Sequence, residues 1–235
     1  MPSIMPLRPW KMPSEARIWL DKKTKFSPKL GAGAYGRVCF GRMKFQGGKT
    51  QRVAIKVFKE PLSDEKASNY QKVIDDLRNA GVRIPKMAMV KIDTGRFNEP
   101  EWVQVSQLFG SISKGSKIAT NSPWEHINLA QFEEGVVELT KAFNAGYYPS
   151  MEFFEPFRDS SKGGIPIDLD LLVEYSGISA ELRANILANV IKKYFSVHSL
   201  SQENSGHIFR ISLFFAKPGL RKILEASFAR RGYKP

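Results

Sequence analysis

The sequence predicts an α+β chain in two parts, a β-rich part carrying one helix and then a mostly helical part. Three observations predict it. Runs rich in β-branched and aromatic residues fall near 26–32, 36–45 and 51–58, and after one helical stretch two more follow at Lys86–Ile92 and Glu101–Leu108. Beyond a Gly/Ser/Lys-rich linker from Phe109 to Ser122, apolar residues recur at helical spacing. Finally, 42% hydrophobic residues with 16 Phe among 235 supply a packed core, and no apolar run approaches the roughly 20 residues that span a bilayer.

Taken in order, residues 1–25 read as an extension, with a short helix expected from Ser14 to Lys22. Met1 to Trp10 holds three prolines and none of the apolar stretch that a secretory leader needs. The β-rich part is placed at 26–110. Within it Ser63-Asp64-Glu65 supplies an N-cap and an acidic first turn, and Tyr70, Val73, Ile74 and Leu77 give the helix its apolar face before Gly81 stops it. Residues 111–122 are the linker and 123–235 the helical part. There Asn128–Asn144 carries Phe132, Val136, Leu139 and Phe143 along one face. A β-hairpin is expected next, Met151–Arg158 and Ile165–Val173 around a turn at Asp159–Gly164. Helices at about 178–195, 206–215 and 217–230 complete the chain, which contains no internal repeat.

The formal net charge of +13 suits an acidic protein partner or phosphate groups. Its basic clusters (Lys22-Lys23-Thr24-Lys25, Lys192-Lys193, Arg230-Arg231) are dispersed and accompany no nucleic-acid-binding motif, so nucleic acid is not the expected partner. One cysteine, Cys39, excludes an internal disulfide framework and fits a reducing compartment; it reads as a small core residue. His126, His198 and His207 lack metal-ligand spacing, and Met87 and Met89 alternate as core residues on a strand do.

The chemistry concentrates in two elements. Gly31-Ala32-Gly33-Ala34-Tyr35-Gly36-Arg37-Val38 reads GxGxxGxV between two β-rich runs, which lets a hairpin fold closely over phosphates with its N–H groups pointing inward. Val53-Ala54-Ile55-Lys56 then sets one lysine near the end of a buried strand, where its ammonium meets phosphate oxygens. A dinucleotide fingerprint leads from strand into helix, whereas this loop leads into Val38-Cys39-Phe40, a second strand. No GK[ST] follows the glycines, so a Walker loop is excluded too.

The paired motifs resemble the glycine loop and strand lysine of the protein kinases. The resemblance is specific over about 26–108, weaker over 128–172 and absent beyond. It implies a two-lobed fold: a five-stranded antiparallel N-lobe with one helix, and a shortened, mostly helical C-lobe. It implies ATP and Mg²⁺ as cofactors, with Gly31, Gly33, Gly36, Val38, Ala54, Lys56, Asp75, Gln107 and Phe109 binding nucleotide. Small truncated kinases of this kind occur among bacterial secreted effectors and phage or viral proteins, which implies a cytoplasmic protein or one delivered into a host cell.

Kinases pair the lysine with a helix glutamate, and at the matching distance stand Asp75 and then Asp76, each one methylene shorter. Glu65 lies too near the helix start. Ile167-Asp168-Leu169-Asp170 falls where the family carries its metal-binding DFG, so Asp168 is the candidate ligand, with Asp170 where glycine belongs. The catalytic loop departs from the family. Ser150 stands where the base aspartate is expected and Glu155 where the asparagine is, with Glu152 the nearest carboxylate. Glu155 can bind Mg²⁺ through oxygen. Ser150 cannot act as a base at neutral pH without a proton acceptor, so Glu152 is the substitute. An alternative register using Asp159 leaves too few residues before Asp168. No APE tripeptide follows. The expected function is ATP-dependent phosphotransfer to a protein Ser or Thr, with a nucleotide-binding pseudokinase, or a kinase fold transferring AMP, as alternatives.

Overall fold

The structure is a computed structural model and describes residues 16–20, 31–32, 34–44, 48–84, 86–107, 129–147, 154–155, 165–166, 177–198 and 202–233. It is α+β, as the sequence predicts. The chain divides into two units, Met1–Ile74 with Pro85–Phe109, and Asp75–Ile84 with Gly110–Pro235.

The first unit is an antiparallel sheet of β1 (Arg17–Leu20), β2 (Gly31–Ala32), β3 (Gly36–Lys44), β4 (Thr50–Phe58), β5 (Met87–Ile92) and β6 (Glu101–Gln107). Across it the order is β1-β3-β4-β6-β5, with β2 also on β3. Leu20 faces Gly41 while Gly31 faces Val38, so two separate pieces share the outer edge of β3. The short helix expected over Ser14–Lys22 is not there: Arg17–Leu20 forms β1 instead. Ile18 and Leu20 pack against the sheet core while Arg17 and Trp19 alternate outward, a two-residue period that outweighs helix propensity once an edge is available. Of the strand expected over 26–32, only Gly31–Ala32 lies within the described residues.

Alternation decides which face of the sheet is core. Met43, Val53, Ile55, Val57, Val103, Val105 and Ile92 form one buried cluster, with Ile55, Val57, Val103 and Val105 wholly out of water. Cys39 shares this face opposite Ile55 and is buried, as expected.

The other face carries the site and receives α1 (Asp64–Asn79). The helix starts where Lys66 N donates to Ser63 Oγ at 3.2 Å. It ends in a Schellman turn, Val82 N to Leu77 O at 2.9 Å and Gly81 N to Arg78 O at 3.0 Å. Gly81 sits at φ +73° there, a conformation glycine adopts without strain. Asp64 receives Trp102 Nε1 and Lys91 Nζ, each at 2.7 Å, and this hydrogen bond from Lys91, then that from Trp102, holds its carboxyl below the usual range. Gln71 Oε1 accepts from Met89 N at 2.9 Å, and Tyr70 meets the Phe58 ring edge-on at 5.2 Å, fixing the helix over β4 and β5.

The second unit holds α2 (Leu129–Asn144), β7 (Phe154–Glu155), β8 (Ile165–Pro166), α3 (Ala180–His198), α4 (Gln202–Phe215) and α5 (Pro218–Ala229). Phe132, Val136, Leu139 and Phe143 are all buried, as their spacing predicts. Phe132 stacks on Tyr194 of α3 with centroids 3.5 Å apart, and Phe195, Phe209, Phe228 and Tyr233 continue the aromatic core through α4 and α5. Asn144 clasps the α4–α5 corner, donating to Phe215 O at 2.7 Å and accepting from Lys217 N at 3.0 Å. Phe154 pairs with Pro166 and Glu155 with Ile165, the antiparallel pairing of the expected hairpin, whose turn lies outside the described residues. Within the described residues no helix is long and apolar enough to cross a membrane.

Candidate nucleotide site

Register assembles the predicted residues on one sheet face. Lys56 stands directly opposite Val38 on one side and Gln104 on the other, while Ala54 stands between Phe40 and Ser106. Directly opposed residues of antiparallel strands share a face, so Val38, Ala54, Lys56, Gln104 and Ser106 lie together. Met87 and Met89 complete that face from β5 and are buried. Lys56 is half-buried, and its Nζ lies 5.7 Å from the Phe58 ring centroid.

The glycine hairpin is fastened to the same strand. Gly31 pairs with Val38, Gly36 pairs with Phe58, and Lys59 N donates to Tyr35 O at 3.0 Å. A Cβ built on Gly36 would meet Val57 O at 2.5 Å and Phe58 Cα at 3.1 Å, both backbone atoms that cannot swing aside. Glycine at 36 is therefore required by close approach of β3 to β4. Gly36→Ala is expected to destabilise the fold by about 1–3 kcal/mol, the usual range for overpacking. A urea midpoint equal to that of wild type would refute this.

Behind the hairpin lies an anchor that the sequence reading missed. Arg96 donates to Phe58 O at 2.6 Å and Lys59 O at 2.8 Å, and its guanidinium lies 3.3 Å from buried Glu101, which also accepts from Thr94 Oγ1. No motif marks Arg96, because two of its partners are backbone carbonyls far away in sequence. Gln104 was missed as well. It is a buried amide in the run Glu101-Trp102-Val103-Gln104-Val105-Ser106, whose polar alternation gives a faint hint of a second, working face.

Other candidates are placed singly. Asp75 lies on α1 and is ion-paired with Arg78 at 3.1 Å, half-exposed. Asp76 accepts from Tyr147 OH at 2.5 Å, and burial followed by this bond keeps the phenol protonated well above the usual tyrosine range. Gln107 ends β6 opposite Val53, and Glu155 lies in β7. Gly33, Phe109, Ser150, Glu152, Asp168 and Asp170 lie outside the described residues. Among the described residues no cluster of His, Cys, Asp or Glu could hold a metal ion.

A cation beside a glycine hairpin is the arrangement that a triphosphate would require of its site. A helix lies between β4 and β5, as the sequence predicts, and β1 adds a strand to the five expected.

No family model matches this chain, and no curated protein matches it. Among solved structures, a complex of Neurospora crassa PAN2 (WD40-CS1) with PAN3 (pseudokinase and C-term) is similar at a TM-score of 0.45 and 11% identity. The alignment covers 100% of this chain and 60% of that one, so this chain spans less than two thirds of its length.

Proposed function

We propose that this protein is an ATP-dependent phosphotransferase, in its simplest form a minimal Ser/Thr protein kinase with a divergent catalytic loop. One observation carries the reading: Lys56 stands opposite Val38 of the glycine hairpin, on the face that also bears Ala54. In this reading Gly31, Gly33 and Gly36 cover the phosphates and Lys56 neutralises them, which is the larger part of what phosphoryl transfer asks of a protein. Val38 and Ala54 offer apolar surface to the nucleotide, with Gln107 and Phe109 at the strand end that follows. Asp168 and Glu155, with Asp170 two residues after Asp168 in sequence, would offer the carboxylate oxygens that Mg²⁺ prefers, and the ion would supply charge neutralisation. Glu152, or a group on the substrate, takes the acceptor proton in place of Ser150. The excess of basic residues suits an acidic protein substrate.

A second reading, a pseudokinase that binds nucleotide and transfers nothing, is favoured by Ser150 at the position of the base. Transfer of AMP is a third outcome. Incubation with γ-labelled ATP, Mg²⁺ and generic acceptor proteins separates them. The expected result is incorporation by wild type that Asp168→Ala abolishes. Equal incorporation by both removes the phosphotransferase reading; nucleotide binding without incorporation selects the pseudokinase, and an adenylyl adduct by mass selects AMP transfer.

A further inference from the structure

The described residues contain three buried side-chain polar atoms without a hydrogen-bond partner: Arg83 Nε, Arg183 Nε and Gln104 Oε1. The two arginines satisfy other nitrogens of the same guanidinium, Arg83 on Glu134 and Arg183 on Ile178 O. Gln104 differs in kind. Its oxygen is the one acceptor of the three, and the residue is 4% exposed. Its Nε2 is turned to Met87 Sδ at 3.8 Å, a weak acceptor. Leaving a carbonyl oxygen dry and unmet costs free energy, and such a group calls for a reason.

Register supplies the reason. Gln104 is directly opposite Lys56, so their Cβ atoms lie about 4.5–5.5 Å apart on one face. Lysine carries three N–H donors and no acceptor, and an amide oxygen is a neutral acceptor suited to it. In the present arrangement the ammonium leans along its own strand to the Phe58 ring, 5.7 Å from the centroid. Gln104, directly opposite on the same face, lies within the span of a lysine side chain.

We propose that Gln104 is the positioning residue for Lys56: when a triphosphate draws the ammonium off Phe58, one N–H is donated to Gln104 Oε1 and the others face phosphate oxygens. The inference rests on the nucleotide reading above and deepens it. A side-chain acceptor on a sheet strand, held by β-pairing, aims the lysine.

Isothermal titration of wild type, Gln104→Met and Gln104→Glu with ATP and Mg²⁺ tests it. Methionine removes the acceptor at nearly constant volume, and glutamate keeps one. The expected result is roughly tenfold weaker ATP binding by Gln104→Met, the loss of one charge-assisted hydrogen bond, with affinity restored in Gln104→Glu. The nucleotide-free melting temperature of Gln104→Met stays at or above that of wild type, because an unmet acceptor has been removed. Equal ATP affinity in wild type and Gln104→Met overturns this inference alone. So does a lowered nucleotide-free melting temperature accompanying the lost affinity, which assigns Gln104 a packing role. No binding by wild type overturns the nucleotide reading and this inference with it.

Discussion

Lys56→Met is expected to abolish stabilisation by ATP while leaving the nucleotide-free protein folded. At a ligand concentration a hundred times Kd, binding contributes about 2.7 kcal/mol to the native state. For a chain of this size each kcal/mol moves Tm by about 2–4 °C, so wild type with ATP and Mg²⁺ melts roughly 5–10 °C higher than without. Methionine is an unbranched apolar side chain of similar length without the ammonium, so the nucleotide-free protein still folds. The ligand-induced shift disappears because the cation directly opposite Val38 is gone. Differential scanning fluorimetry gives both numbers from one plate. Equal shifts in the two proteins would show that the triphosphate is held elsewhere.

Arg96→Ala is expected to lower stability by about 3–5 kcal/mol, the range found when one partner of a buried ion pair is removed. The carboxylate of Glu101 is 3% exposed and keeps only Thr94 as a donor once the guanidinium is gone. The carbonyls of Phe58 and Lys59 lose their donors in the same step. The residue that follows Phe58 holds Tyr35 O, so the defect reaches the glycine hairpin through one peptide. A second substitution separates the electrostatic part from lost packing. Glu101→Gln in the Arg96→Ala background recovers part of the loss, because an unpaired amide is easier to bury than an unpaired carboxylate. Urea unfolding of the four proteins measures the coupling; strictly additive effects would mean the pair contributes nothing beyond its separate parts.

Elements with strong local signals were legible in the sequence. The Ser63 cap, the Gly81 stop and the buried stripe Phe132, Val136, Leu139 and Phe143 are written in neighbouring residues, and the structure has each of them. Strand alternation placed Cys39, Met87 and Met89 in the interior. Arg17–Leu20 was misread because four residues are too few to distinguish a period of two from one of 3.6, and what decided the matter was the open edge of β3. The pairing of Gly31 with Val38 and the place of Lys56 on β4 were legible because a glycine-rich turn between β-branched runs is a short-range signal. Arg96 and Gln104 were not. Arg96 meets carbonyls, and Gln104 faces Lys56, only through strand register, and register is a long-range property of the fold.

The solitary cysteine has a practical consequence. Cys39 sits on the core face of β3, opposite Ile55 and next in sequence to Val38, with only 7% of its surface exposed. A thiol-specific reagent reaches it only when this hairpin parts from the sheet interior. Its rate of alkylation is therefore a clock for the breathing of the strand pair that carries Lys56, one that needs no engineered label and that any tightly held ligand must slow.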